Sequence, residues 1–394
     1  MELVDKETKQ QSDMRTRRKI GLVMHSVYNA KFFLVPHIHM LAADYDVTLY
    51  VRNDAPNILS EMNLPVRIVE VPISRRINLI GDLKALLILI WLFIRDRPDL
   101  IHTMTAKAGL LGIIAAFITR VPCRLHTFQG EVWPHFKGLK RSFFRLLDWM
   151  VVQMATDITL VSASERDFLN KEGVLKPNRG VVLGAGSICG VDLERFKPNP
   201  NLRAEFRKEL NINEDDFVFL YLGRLQRDKG LNVLKEAYLQ VRRKTDKIMH
   251  IIIVGPDEDN LGEALYRDIG SDVILKAYTD RPEDYISISD VLLLPSFREG
   301  FGMVLIEAAA MGVPAIASNI YGISCAVEDN VSGLLFDVGD PNNMAQKMEY
   351  VIENPNELNK LAIDGKERCE DLFDQKTVLY NFKNYYVELL ERRT

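Results

Sequence analysis

No apolar run in this 394-residue chain is long enough to cross a bilayer. The longest, Ala85 to Ile94, lies between Lys84 and Arg95 and is about half the ~20 residues a spanning helix requires. The first 18 residues are polar and charged, without an apolar centre or a small-residue cleavage site, so they read as a loose tail rather than a secretory leader. Cysteine is scarce. The four, at 123, 189, 325 and 369, form no CxxC pair, which argues against a disulfide scaffold or a zinc finger and fits reduced thiols in the cytoplasm. No GxSxG, HExxH or Walker sequence is present. An acidic chain without a basic recognition motif is also a poor nucleic-acid binder.

With 47% hydrophobic and 26% charged residues the composition is that of a globular protein, and the length suits two to three domains of about 150 residues each. The net charge of −4 conceals an asymmetry. Residues 1–200 carry 27 Lys and Arg against 20 Asp and Glu, a net +7, and residues 201–394 carry 23 against 34, a net −11. A basic first half suits an anionic surface.

Short β-rich runs alternate with helical stretches throughout, the pattern of parallel sheets covered by helices on both faces. One series has strands near Ile20, Val47, Val66, Leu100, Cys123, Ile158 and Val181. A second starts at Phe217 and continues near Ile251, Val273, Val291 and Pro314. Lys197-Pro-Asn-Pro-Asn201 reads as a linker between them. The predicted fold is α/β, with two Rossmann-like, doubly wound domains facing across a cleft. Residues 1–18 would be the tail, 19–197 the first domain, 198–375 the second, and 376–394 a C-terminal helix able to pack back on the first. The helical stretch Leu79 to Ile94 is expected to be buried in the first domain.

In such sheets ligands sit beyond the carboxyl ends of strands, and two post-strand segments stand out there. Gly223-Arg224-Leu-Gln-Arg227-Asp228-Lys229-Gly230 crowds three cations at a helix start, where the dipole disfavours them and an anion would offset them. It reads either as a phosphate site or as a solvated turn with Asp228 as N-cap. Pro295-Ser296-Phe-Arg-Glu299-Gly300-Phe301-Gly302, continuing to Glu307, again offers backbone donors at a helix start. Its two carboxylates suit sugar or ribose hydroxyls, or else a dipole partner and a surface Glu.

These segments resemble the retaining glycosyltransferases of family 4, which have the GT-B fold. The match comprises Gly-Arg and Lys-Gly at 223–230, Glu-Gly-Phe-Gly with the second glutamate at 299–307, and Ala-x-Ala-x-Gly-x-Pro at Ala308 to Pro314. Asp99-Leu-Ile-His-Thr, Lys107-Ala-Gly-Leu-Leu-Gly and Leu125-His126-Thr127 are similar to bacterial members that extend lipid-linked oligosaccharides. The resemblance implies that Arg224 and Lys229 bind the donor diphosphate, Glu299 the donor sugar and Glu307 the ribose. Backbone N–H groups at Gly300, Phe301 and Gly302 would help, with Gly186 and Ser187 near the cleft. It implies a catalytic group of His126, Glu299, Arg224 and Lys229, His126 lying near the reacting centre or else being a histidine satisfied at a strand end. The second domain would bind a UDP- or GDP-linked sugar, and the first a lipid-linked saccharide at the inner face of the membrane, in surface-polysaccharide synthesis. No metal and no cofactor beyond the donor is implied. The alternative is an inactive sugar-binding or scaffold protein of the same fold. One departure is the loop His25-Ser-Val-Tyr-Asn-Ala30, where many members have a Gly-Gly pair.

Gly184-Ala-Gly186-Ser187-Ile-Cys189-Gly190 is a poor dinucleotide loop, because Cys189 holds its last glycine position and no long helix follows. Asp257-Glu258-Asp259 has the spacing of the metal-binding carboxylate pair that a metal-dependent GT-A transferase needs, but short acidic pairs often arise by chance and the GT-B resemblance implies no metal. Lys137 to Trp149 combines bases and aromatics at helical spacing, as an interfacial helix on an anionic leaflet or as an amphipathic helix with its aromatics in the core.

Overall fold

The structure is a computed structural model describing residues 17–74 and 77–392, so all but the last two residues of the expected tail lie outside it. The chain divides into two compact units. The first runs to Leu160 and includes Leu169–Leu183 and the segment from Leu379 onward; the second comprises Val161–Phe168 and Gly184–Val378.

The first unit holds seven parallel strands, β1 (Lys19–Met24), β2 (Asp46–Val51), β3 (Arg67–Glu70), β4 (Leu100–Met104), β5 (Cys123–Phe128), β6 (Asp157–Leu160) and β7 (Val181–Val182). Their order is β3-β2-β1-β4-β5-β6-β7. Central strands such as β4 are buried along their whole length, as helices on both faces require. The chain steps in one direction across the sheet from β3 to β6, and with the right-handed crossovers that parallel strands favour the helices Leu79–Asp96, Ala106–Ile118 and Gly138–Met154 share one face; the middle one packs against both others. From Leu379 the C-terminal helix packs on this unit: Tyr386 is fully buried with its hydroxyl 2.5 Å from His102 Nδ1, and Phe382 meets the His37 ring edge-on.

The helix Leu79–Asp96 departs from its expected burial. Only Ala85, Leu89, Leu92 and Phe93 are enclosed, while Ile80, Leu87 and Trp91 are more than half exposed. Helix Gly138–Met154 likewise buries Asp148, Val151 and Val152 and leaves Leu139, Phe143 and Trp149 exposed, so those two aromatics are not core residues.

The second unit holds six parallel strands, β8 (Phe217–Leu222), β9 (Met249–Val254), β10 (Val273–Lys276), β11 (Val291–Leu294), β12 (Ala315–Ser318) and β13 (Gly333–Phe336), ordered β10-β9-β8-β11-β12-β13. Four-residue β13 is not legible in the sequence, because it opens on a glycine and carries no alternation. Phe219, Ile253, Leu293 and Ile316 form the core with the helices Leu231–Arg242 and Pro341–Glu353. The Pro/Asn run expected to link the domains is a helix start inside this unit. Asn199 Oδ1 accepts from Leu202 N to cap the helix Pro200–Glu209, and Arg203 and Arg207 of that helix grip Asp290. The division between units falls instead at Leu183 and Gly184.

Candidate functional site

The order of the second sheet reverses beside β8. The chain moves outward on one side through β9 and β10, then returns to lay β11 against β8 on the other. Loops beyond the carboxyl ends of two such strands flank the crevice in which open α/β sheets bind ligands. The two segments singled out in the sequence are those loops, following β8 and β11.

The loops are stitched together by main chain. Phe297 N–H donates to Asp228 O at 2.9 Å. Gly230, in the left-handed region at φ 72°, passes so close to Pro295 that a Cβ there would fall 2.0 Å from its carbonyl oxygen. Gly230, rather than Asp228, occupies the N-cap position of the helix Leu231–Arg242. Asp228 instead receives Arg298 Nη2 at 3.1 Å. Burial raises the Asp228 carboxyl, but the Arg298 hydrogen bond and the nearby cations outweigh it and hold the group below its ordinary value.

At the centre, Lys229 Nζ donates to Glu299 Oε1 at 2.7 Å and to Arg298 O at 3.2 Å, and Ser296 Oγ donates to the same Glu299 oxygen at 2.8 Å. Both charged side chains are largely enclosed, at 12% and 17% exposure. Arg224 is more open, with one Nη 3.5 Å from Glu258. The helix Met303–Ala310 begins at once after Gly302, whose φ of 71° lets the chain turn into it. Its first N–H groups thus point out of the helix end with no side-chain cap. The side chain of Phe301 is buried against Phe373, so only its main chain can meet a ligand.

Glu307 sits a turn into that helix. Burial pushes its carboxyl up to about 7, with the Arg195 charge acting against the shift and Glu283 adding to it. No hydrogen bond of the Glu307 carboxylate is found among the described residues. Ser187 comes close to the same helix, but its side chain is committed: Oγ donates to Met303 Sδ and accepts from Gly190 N–H, and the residue is buried. Gly186 faces the Val161 carbonyl, 2.2 Å from where its Cβ would lie. Ser187 therefore packs at the Met303 end of the helix and Gly186 against the turn after β6, and neither offers an open side chain.

His126 is not among the residues brought together in this unit. It lies on β5 of the first unit, buried, with Nδ1 2.8 Å from Thr103 Oγ1 and its ring edge-on to Phe128. Gly109 makes the space, since a Cβ there would meet the ring at 2.3 Å. Burial pushes its pKa down to about 3, so the ring is neutral. In the variant first loop, His25 Nδ1 lies 3.0 Å from Thr105 Oγ1, linking the turns after β1 and β4, the strand pair at which this sheet also reverses.

Comparison with known proteins decides the family. Residues 203–368 match the model described as glycosyl transferases group 1, and residues 38–186 match a glycosyl transferase 4-like domain. Over 325 residues the chain is 31% identical to a capsular polysaccharide biosynthesis glycosyltransferase, CapM, of Staphylococcus aureus, covering 82% of this chain and 85% of that one. The chain belongs to the family 4 glycosyltransferases. This glycosyltransferase is also 26% identical over 356 residues to a UDP-Gal:alpha-D-GlcNAc-diphosphoundecaprenol alpha-1,3-galactosyltransferase of Escherichia coli, covering 88% and 90% of the two chains. In fold it is similar to Anabaena Alr3699/HepE, solved with UDP and glucose, at a TM-score of 0.79 and 20% identity, covering 94% of this chain and all of that one. Its fold is GT-B.

Sequence reasoning missed several parts of the glycosyltransferase's site. Gly322 packs so tightly under the Glu299 carbonyl that a Cβ would lie 1.9 Å from its oxygen, and Arg195, paired with Glu283, sets the field at Glu307. Both come from segments with no motif of their own, and only a Tyr-Gly turn after β12 hints at the first. The acidic run after β9 is also accounted for. Asp257 accepts from the N–H groups of Leu261 and Gly262, Asp259 from that of Arg227, and Glu258 holds Arg224 and Gln226. Their carboxylates order the loops around Arg224. Among the described residues no cluster of three metal-binding side chains occurs.

Proposed function

We propose that this glycosyltransferase moves a hexose or N-acetylhexosamine, with retention of configuration, from a uridine- or guanosine-diphosphate sugar to a hydroxyl of an undecaprenyl-diphosphate-linked saccharide in surface-polysaccharide synthesis. The observation that carries this reading is the convergence of Lys229 and Glu299 on one crevice beside an uncapped helix start. The names of the S. aureus and E. coli relatives support a polysaccharide product and a lipid-linked acceptor.

In this reading Lys229, Arg224 and the N–H groups at Gly300 to Met303 take the charge that develops on the leaving diphosphate. Glu299 orients the donor sugar through its hydroxyls and Glu307 accepts from the ribose. In this reading no carboxylate acts as a covalent nucleophile, and the acceptor oxygen attacks on the face the diphosphate leaves. The departing phosphate oxygen takes the acceptor proton, and no metal is needed. The first unit holds the acceptor, and the protein works as a peripheral protein at the inner face of the membrane.

A thermal-shift panel of UDP-, GDP- and dTDP-sugars identifies the donor, since a ligand that binds only the folded state raises the melting temperature. Transfer from that donor to a diphosphoprenyl saccharide is then measured for Lys229→Ala and Glu299→Ala. Near-normal turnover in both variants would overturn the site. Donor binding without any nucleotide release by the native chain would leave the scaffold alternative.

A further inference from the structure

We propose that the first unit docks on an anionic lipid surface through the helix Leu79–Asp96, whose exposed apolar stripe is a membrane-insertion element. This rests on the lipid-linked acceptor argued above and adds the surface by which the enzyme reaches it.

Ile80, Leu83, Leu87, Trp91 and Ile94 recur every three or four residues and are 84%, 57%, 57%, 58% and 60% exposed. At 100° per residue they fall within an arc of about 80°, so they form one straight seam on the side opposite Ala85, Leu89, Leu92 and Phe93. From Leu79 to Ile94 the seam runs about 22 Å at 1.5 Å per residue. Ile80, Leu83, Leu87 and Trp91 line a shallow apolar groove with Ile88 and Lys84. Single exposed apolar residues are ordinary, but a continuous row of this kind marks a surface that meets something apolar. No helix among the described residues is long and apolar enough to cross a membrane, so such a contact lies in the plane of the interface.

The surrounding charge selects the occupant. Both acids of the helix are neutralised: Asp82 pairs with Lys107 at 2.7 Å, and Asp96 is held by Arg67, Arg95 and the Tyr50 hydroxyl. Two cations remain outward: Lys84 sits in the groove and Arg97 is exposed at the C-cap, while Arg95, paired with Asp96, also stacks 4.7 Å over the Trp91 ring. A tryptophan flanked by cations is the side-chain set that settles between acyl chains and phosphate headgroups. Across the middle helix of the same face, Gly138–Met154 exposes Leu139, Phe143, Leu146 and Trp149, with Lys140 beside them, so a second seam of the same chemistry extends the surface. A second copy of the chain would match apolar to apolar but would also bring cations against cations in a two-fold contact. An anionic leaflet satisfies both components at once.

The test is flotation of the full chain with vesicles of phosphatidylcholine alone or of equal parts phosphatidylcholine and phosphatidylglycerol. The native chain should float with the anionic vesicles. Leu87→Ser/Trp91→Ser should partition at least about tenfold less, because two apolar side chains no longer leave water. Lys84→Gln/Arg97→Gln should partition less at low salt, with the difference vanishing at high salt. All variants should keep the native thermal melt and the native donor-induced shift. A native chain that ignores both vesicle types, or equal partitioning of the native chain and the Leu87/Trp91 variant, overturns docking by this helix. So does a dimer in sedimentation equilibrium that Leu87→Ser/Trp91→Ser dissociates. Loss of the donor-induced shift in the native chain would instead strike the transfer reading, and the two failures are separate.

Discussion

Lys229 Nζ and Glu299 Oε1 lie 2.7 Å apart, although 70 positions of chain separate the two residues. The contact exists because β8 and β11 are neighbours in the sheet, and each side chain stands on the first loop after its strand. It places a cation for a diphosphate and a carboxylate for a sugar at one depth.

Lys229→Met and Glu299→Gln should each lower kcat for transfer by about 10² to 10³, the usual effect of removing one preorganised charge from a reacting site. The pair is largely enclosed but still reached by solvent, so each change should cost about 1–3 kcal/mol of stability. The double variant should lose less than the sum, as contacting groups do. Initial rates and urea unfolding measure both. Additive losses in rate would show that the contact plays no part in the site.

Gly230→Ala and Gly322→Ala remove no polar group, yet each should impair donor binding. Their Cβ atoms would fall 2.0 Å and 1.9 Å from the carbonyl oxygens of Pro295 and Glu299, and Gly230 also has φ 72°. The two loops must part, at a cost of about 1–3 kcal/mol. Calorimetric titration with the donor nucleotide, beside a thermal melt, should show weaker binding and a lower midpoint. Unchanged affinity in Gly322→Ala would mean that the Glu299 loop tolerates displacement.

Glu307 gives the fold a pH dependence of defined sign. Its folded pKa of about 7 lies above the ordinary value of 4.5, so the folded chain holds the proton more tightly. Its contribution is fully present below about pH 4.5 and is lost as the pH rises through 7. Between those values Glu307→Gln should show a flatter melting-temperature profile than the native chain. Parallel profiles would contradict the burial of this carboxyl.

His126 acts in the opposite sense. Its folded pKa of about 3 lies below the ordinary 6.5, so its contribution is full above pH 6.5 and is lost as the pH falls towards 3. His126→Gln should be less stable at neutral pH but less sensitive to acid. If His126 only packs, the pH profile of transfer between 6 and 8 should keep its shape in this variant. A lost limb in that range would restore the histidine to the reacting centre.

Chelation should leave transfer unchanged. The three carboxylates after β9 are engaged by backbone N–H groups and by Arg224 and Gln226, and drawing them onto a cation would undo those contacts. Rates in EDTA, with and without added Mg²⁺ or Mn²⁺, decide this, and a requirement for either ion would overturn the metal-independent reading.

Much of this was written locally. Alternating β and helical patterns announce two parallel sheets because a strand buried on both faces must be apolar along its length. The Gly-Arg and Glu-Gly-Phe-Gly segments mark their loops because glycines directly after an apolar strand let the chain turn into the next helix. Illegible were features whose cause lies elsewhere in the chain. Gly322 is required by the carbonyl of Glu299, Ser187 is withdrawn by Met303, and the helix that Asn199 and Pro200 start locally is tied into the second unit by Asp290, which receives Arg203 and Arg207.

The helix Leu79–Asp96 shows the boundary most clearly. Its residues alone settle that it is a helix and that it is too short to span a membrane. They do not settle which apolar residues are buried, because the stretch is apolar almost all round and offers no polar face to orient it. Orientation came from packing against the sheet and the helix Ala106–Ile118, in a cluster that takes in Leu89 and Phe93, with Phe93 edge-on to Tyr50, and leaves Leu87 and Trp91 outside. The family and the fold follow from local pattern. The pairing of Lys229 with Glu299, the enclosure of His126 and the outward seam of this helix arise only when distant segments meet, since burial is a property of what surrounds a residue.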